Sequence, residues 1–327
     1  MRRNMVGLIV LLTLGVLMAP RAAPAQPPAK MPRIGYLALR ALAAEDETFK
    51  QGLRDLGWME GQNIAIEYRW AAGQVERLPA LAAELVRLQV DLIVARSTPV
   101  VQAAKDATQS IPIVMVLAAD PVGTGLVASL ARPGGNITGM SGTNPELAGK
   151  RLELLRALLP SVSRVAFLTY GGDPAHRLFL QEAQDAAARL GMQVQPVVIG
   201  HVEEIESAFA AMRNTRAEAL MVQPIFGGVL GQTQRIADLA VTYRLPTVSA
   251  GREFVEGGVL LSYGGDPLPV YRRAAVFVDK ILKGARPADL PVEQATRFEL
   301  VINMRTAKAL GVTIAPSVLA RADELLE

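Results

Sequence analysis

The same five residues, Tyr-Gly-Gly-Asp-Pro, stand at Tyr170–Pro174 and again at Tyr263–Pro267. Each copy ends an apolar run, Val165-Ala166-Phe167-Leu168 in the first case and Val259-Leu260-Leu261 in the second, and each precedes a helical pattern. A third Asp-Pro, Asp120-Pro121, follows the apolar run Ile113–Leu117. Asp accepts hydrogen bonds from the free N–H groups at a helix start, and Pro fits the first helical position. Gly-Gly permits a tight turn and a close approach of a ligand to the backbone. Such strand-to-helix loops define an α/β chain. In open parallel sheets, ligands bind at these loops, at the carboxyl ends of the strands. Two roles stay open for each Asp: capping a helix or meeting a ligand.

From Pro32 onward strand and helix signals alternate. Ile34–Leu37 reads as a buried strand, and Phe49, Leu53 and Leu56 recur at helical spacing before Gly57. Ile64, Ile66, Tyr68 and Trp70 alternate with more polar residues, as in a strand with one wetter face. A helix over 78–88, a strand over 91–95, a helix after Ser97-Thr98-Pro99 and a strand over 111–117 complete a first block. After a short strand at 136–140, a helix from Pro145 to Leu159 opens a second block, with strands near 164–170, 193–199, 218–223, 246–249 and 258–263. A long amphipathic helix, 269–283, follows, then an alternating strand around Phe298–Ile302 and a final helix over 316–326. The pattern predicts parallel sheets covered by helices on both faces.

The N-terminus reads as an export signal over residues 1–25. Arg2 and Arg3 precede the apolar stretch Val6–Met18, and Ala23-Pro24-Ala25 is an A-x-A cleavage site. The apolar run is short for a membrane span. Cleavage removes Arg2, Arg3 and Arg21 and no acid, which takes 34 basic and 31 acidic residues to 31 of each. The mature chain is then neutral, without the basic patch that nucleic-acid binding requires. There is no cysteine, so disulfides, thiol chemistry and a lipidated N-terminal Cys are excluded. A soluble, periplasmic, monomeric protein is the expectation.

Catalytic patterns are missing. His176 and His201 are the only histidines, and neither has a companion at metal-ligand spacing. His176 reads as an exposed first-turn residue. No G-x-S-x-G elbow and no G-x-x-x-x-G-K-[ST] loop occurs. Glu45, Asp46 and Glu47 read as first-turn charges that favour a helix dipole. No metal, cofactor or enzymatic activity is expected.

What remains is a set of polar and aromatic groups at strand ends. Ser97 and Thr98 suit an anion at a helix N-terminus, or simply cap that helix. Asp120 suits a ligand ammonium. Tyr170 and Tyr263 are placed to stack on a ligand or hydrogen-bond it, and Phe226 is a loop aromatic without core periodicity. Glu253 is a second ammonium partner or the ion-pair partner of Arg252.

Several segments resemble an exported substrate-binding protein family of ABC importers, the one that includes tryptophan/tyrosine-type binding proteins. They are Gln51–Gly57 with Glu60–Ile64, Asp120–Gly123, Leu130–Gly139, Tyr271–Ala275, Lys280–Gly284 and Phe298–Asn303. The resemblance implies a type I periplasmic-binding-protein fold: two Rossmann-like α/β lobes with parallel sheets, joined by three crossovers. On that pattern residues 31–142 and 267–297 make lobe one, and residues 143–266 and 298–327 make lobe two. In related amino-acid binders the ligand carboxylate meets Ser/Thr groups of lobe one, and Ser97 and Thr98 occupy the matching loop. One departure is the loop Ala38–Ala44, where the family has a small, Ser- or Gly-rich stretch. Arg40 in that loop either favours an acidic ligand or points to solvent.

The implied function is delivery of a small polar solute, an amino acid or related amide, to ABC permease subunits. A ligand-sensing module for a membrane receptor is the alternative, and a secreted hydrolase or isomerase on a similar scaffold is a third reading.

Overall fold

The computed structural model describes residues 31–327; the expected signal segment lies outside them. Two sheets organise the chain. The first contains β1 (Arg33–Ala38), β2 (Ala65–Trp70), β3 (Leu92–Arg96), β4 (Ile113–Ala119), β5 (Ile137–Thr143) and β11 (Glu293–Gln294), in the order β11-β5-β4-β3-β1-β2. The second contains β6 (Arg164–Tyr170), β7 (Gln193–Ile199), β8 (Ala219–Val222), β9 (Thr247–Ser249), β10 (Leu261–Gly265), β12 (Phe298–Asn303) and β13 (Glu324–Leu326), in the order β13-β12-β10-β9-β8-β6-β7. Every ladder between these strands is parallel except β10 with β12.

The two-residue period of the strands decides what each face touches. Ile34, Tyr36, Leu92, Val94, Val114 and Val116 share one core with Phe49 and Leu53 of α1 (Ala43–Asp55) and with Tyr271, Ala274 and Phe277 of a long helix, Pro267–Leu282. Their neighbours Leu37, Ile93, Ala95, Ile113 and Met115 face the other way, onto α2 (Leu78–Arg87) and α3 (Thr98–Ala107). Strands buried on both faces must be apolar at successive positions, which is why β3 and β4 read as unbroken apolar runs. The second sheet repeats the scheme. Val165, Phe167, Met221 and Val248 pack on α4 (Leu147–Leu158) and α5 (His176–Arg189). Ala166, Leu168, Leu220 and Val222 pack on α6 (Ile205–Asn214) and α7 (Thr233–Thr242). A short α8 (Arg252–Glu256) follows β9, the long helix Pro267–Leu282 is α9, and α10 (Met304–Leu310) and α11 (Pro316–Leu319) close the chain.

The chain passes between the sheets three times: from β5 to β6, from β10 through α9 to β11, and from β11 to β12. The middle passage returns α9 to the first sheet. At Gly52 of α1 a Cβ would stand 2.9 Å from the Ala275 Cβ and 3.0 Å from the Arg272 carbonyl oxygen, so the two helices meet backbone to backbone. Trp58 Nε1 donates to Asp279 Oδ1 at 2.9 Å across the same contact. Phe49 and Phe277 are both buried there, each contributing about 1.5–3 kcal/mol of hydrophobic burial.

The tail corrects one expectation. The helix stops at Leu319, and Glu324–Leu326 forms β13, parallel to Val301–Asn303. Asp323 ends the helical reading: its backbone N–H donates to Leu300 O at 2.9 Å, and its Oδ2 accepts from Leu300 N at 2.8 Å. These bonds turn the chain onto the sheet edge. The antiparallel β12 is the other difference. It runs against β10 after the chain has passed through α9 and β11 of the first sheet.

Candidate functional site

The carboxyl ends of both sheets converge on one cavity of about 480 Å³. From the first sheet come Arg40, Leu42 and Glu45 after β1, Ser97 and Thr98 after β3, and Leu117 and Ala119 of β4. From the second come Arg151 of α4, Asp173 after β6, Pro224, Ile225, Gly227–Val229 and Gly231 after β8, Glu253 in α8 and Gly264-Gly265 of β10. Its volume is that of a small-molecule site.

Ser97 sits at φ +78°, a region that L residues enter only when their surroundings hold them there. Its N–H donates to Val116 O at 2.9 Å, which fixes the loop. Its hydroxyl is buried and has no hydrogen-bond partner, and it does not cap α3. The capping role open to Ser97 from sequence is thus unused. Thr98 also lines the cavity, but its Oγ1 accepts from Ala119 N at 2.9 Å and ties α3 to the end of β4.

A buried network shapes the loop after β1. Asp46 Oδ2 accepts from Leu42 N at 2.9 Å, and its Oδ1 accepts from the Tyr36 hydroxyl at 2.7 Å. Arg96, 2 % exposed, lies 3.4 Å from Asp46 Oδ1 and donates to the Arg40 carbonyl. Burial opposes the Arg96 charge, but Tyr271, Tyr36 and Asp46 outweigh it and its pKa is raised. The loop so held presents Arg40 and Leu42 to the facing loop of the second sheet. A Cβ at Gly231 would fall on the Arg40 guanidinium, and one at Gly228 would stand 3.0 Å from Leu42 Cδ1. The two lobes therefore meet at this edge of the cavity.

Asp173 and Asp266 are the aspartates of the repeated pentapeptide, and they diverge. Each accepts from the N–H two residues on, Ala175 N to Asp173 Oδ1 at 3.0 Å and Leu268 N to Asp266 Oδ1 at 2.9 Å; only Asp266 is the N-cap of its helix, while Asp173 holds the turn before α5. Asp173 is buried as well, and its Oδ2 accepts from Gln223 Nε2 at 2.7 Å. Burial outweighs these two bonds and lifts its pKa to about 7.

Glu253 lines the cavity, and Arg252 is committed elsewhere, to Glu324 at 2.5 Å and Glu256 at 2.8 Å. Among the described residues no cation forms an ion pair with Glu253. Burial raises its pKa; the N–H groups of Glu253 itself and Gly228 oppose this, and the Glu45 charge adds to it.

Four other candidates stand elsewhere. Asp120 is not among the cavity-lining residues; its Oδ1 accepts from Gly123 N at 2.9 Å and holds a turn. Tyr170 shares strand parity with Ala166 and Leu168, so its ring enters their core, edge to face with Phe226 at 6.4 Å. Phe226 is fully buried there. The Tyr263 ring packs on Phe298 at 6.1 Å, while its carbonyl accepts from Arg151 Nε at 2.9 Å. Arg151, Glu45 and Tyr271 line the cavity without having been singled out from sequence as ligand contacts, and Asp173, left open there between capping and a ligand role, lines it too. For Asp173 the signal was present, in the repeated motif. Arg151 gave none, since an arginine within a helical run reads as a solvated face.

Among the described residues no helix is long and apolar enough to cross a membrane, and no group of three or more His, Cys, Asp or Glu gathers at metal-binding distance.

Two α/β lobes, three passages between them and a cavity where their strand ends meet define a solute-binding protein of the type I periplasmic class. A family model described as ABC transporter substrate binding protein matches residues 36–326, and the chain belongs to that family. Members bind small-molecule solutes extracellularly or in the periplasm and work with membrane permeases. The chain is 30 % identical over 265 residues to the tyrosine-binding protein of Clostridioides difficile (strain R20291), covering 81 % of this chain and 75 % of that one. A crystal structure of a conserved domain protein from Vibrio cholerae superposes with TM-score 0.84 at 29 % identity, over 90 % of this chain and 100 % of that one. An ABC domain from Streptococcus pneumonia in complex with L-Trp gives TM-score 0.83 at 28 % identity, over 90 % and 99 %.

Proposed function

We propose that this protein is the periplasmic binding component of an amino-acid ABC importer, a monomer that closes its two lobes on one zwitterionic solute and has no catalytic role. The observation that carries the reading is the make-up of the cavity's two walls. On one stands a buried serine hydroxyl without a partner, at the start of α3. On the other stands the Glu253 carboxylate, with no cation paired to it among the described residues. A ligand carboxylate suits the first, because a helix N-terminus offers free N–H groups to an anion. A ligand ammonium suits the second. The relatives that bind tyrosine and L-Trp support the same class. Closure follows from affinity: a solute touching both walls binds the closed form better, and only that difference shifts the equilibrium. A thermal-shift screen of amino acids, sugars and dicarboxylates tests the proposal. At free ligand about a hundred times its dissociation constant the true solute adds about 2.7 kcal/mol of stability. Shifts from sugars or dicarboxylates alone would defeat the amino-acid reading.

A further inference from the structure

Two arginines are almost fully buried, Arg96 and Arg151, each 2 % exposed. Their surroundings differ. The Arg96 charge is answered by Asp46, by the Arg40 carbonyl and by two phenols. Arg151 donates from Nε to the Tyr263 carbonyl, and among the described residues that is the one acceptor it meets. No carboxylate among them forms an ion pair with it. Burial lowers its pKa to about 10, so it keeps its charge at neutral pH without a counter-ion.

The guanidinium lines the cavity beside Leu147, Gly142, Gly264 and Gly265. Gly142 and Gly264 have no room for a side chain of their own. A Cβ at Gly142 would strike the Leu117 side chain, and one at Gly264 would strike the Ala250 carbonyl. A planar guanidinium lining the cavity without a paired carboxylate among the described residues is suited to take a carboxylate through two parallel hydrogen bonds.

We infer that Arg151 is the anion-recognition residue of the site, holding the carboxylate of the bound solute from the second lobe. The inference deepens the proposed function, on which it rests for its first probes. It makes Arg151 a specificity determinant. Sugars, polyols and simple amines leave the buried charge unanswered and are rejected; a carboxylate answers it. Ser97 on the first lobe and Arg151 on the second then bind one solute from both sides, which is the contact that favours closure.

The experiment compares wild type, Arg151→Met and Arg151→Lys. Each is melted alone and titrated with L-tyrosine, L-tryptophan, and the decarboxylated amines tyramine and tryptamine. Wild type binds at least one of the two amino acids and neither amine. Arg151→Met weakens the binding at least about a hundredfold, because the anion loses its charged partner. Ligand-free Arg151→Met melts no lower than wild type, because removing an unanswered buried charge relieves the fold. Arg151→Lys keeps the charge, loses the fork and weakens binding about tenfold; it carries the test if the Met variant does not fold. Unchanged affinity in Arg151→Lys together with a lower melting point in either variant overturns the inference and makes Arg151 a structural residue. If wild type binds neither amino acid, the amino-acid reading fails by itself. Indole-3-acetate, 4-hydroxyphenylacetate and succinate then serve as probes. A wild-type shift that Arg151→Lys loses sustains the role of Arg151, and no difference between the two proteins overturns it.

Discussion

Lowering the pH from about 8 to about 5.5 stabilises the ligand-free protein, and Asp173 is the main reason. Its carboxyl group is 3 % exposed. Two uncharged donors reach it, Ala175 N and Gln223 Nε2, and no cation pairs with it among the described residues. Burial wins over those bonds and moves its pKa from 3.8 to about 7. The folded form therefore takes up a proton at a pH where the unfolded chain is still ionised, and stability rises as pH falls. The gain begins near pH 7 and is complete below the unfolded value of 3.8. Each pH unit within that window is worth up to about 1.36 kcal/mol, so about 2 kcal/mol accrues by pH 5.5. Glu253, its pKa raised by burial, acts in the same direction. Carboxylates lowered by their partners, Glu218 by the Ser163 and Arg164 N–H groups, and Glu293 and Glu324 by arginines, act oppositely but only below about pH 4.5. Urea denaturation of wild type and Asp173→Asn between about pH 5.5 and 8.5 isolates the effect. Asn keeps an acceptor for Ala175 N but turns an amide N–H toward Gln223, at a loss of about 1 kcal/mol that does not vary with pH. The wild-type advantage over the variant grows by about 2 kcal/mol as the pH falls. A difference that stays constant across the range refutes the reasoning.

Substitutions at three positions separate structural roles from ligand contacts. Ser97→Ala removes a hydroxyl that bonds nothing in the protein, so solute affinity falls by about 1 kcal/mol with little change in a urea melt; the reverse balance would return Ser97 to capping. Asp120→Asn leaves affinity and stability nearly unchanged, while Asp120→Ala loses about 1 kcal/mol of stability with its turn bond to Gly123; calorimetric titration showing weaker binding in Asp120→Asn would bring Asp120 into the site. Arg96→Met leaves Asp46 buried without its cation and destabilises by about 3–5 kcal/mol, which a denaturant midpoint measures and which a neutral result contradicts.

Much of the fold was legible because burial on both faces forces unbroken apolar strands, as in Leu92–Ala95, and because each loop carries its own turn chemistry. The return of α9 to the first sheet entered with the family resemblance, since nothing local to Pro267–Leu282 says which sheet it covers; the Gly52 contact that fixes it lies far away in sequence. The tail misled because Pro316–Leu319 does begin a helix, and the bonds from Asp323 to Leu300 that end it are long-range. At the site, loop position was readable but side-chain direction was not. Tyr170 stands at the right strand end, yet its parity with Leu168 sends its ring into the core. Arg96 ends an apolar run and shapes the loop after β1 by bonds that span 50 residues or more. Asp173 and Asp266 share one motif and each accepts from the N–H two residues on, and only tertiary packing buries the first and leaves the second at the surface.

The central claim is that the two lobes close on one small molecule bearing both a carboxylate and an amino group. Native mass spectrometry of the purified protein, incubated with an equimolar mixture of amino acids, sugars and dicarboxylates, tests it most directly. A single adduct per protein is expected, with the mass of an amino acid. A sugar or dicarboxylate adduct, or none at all, would contradict it.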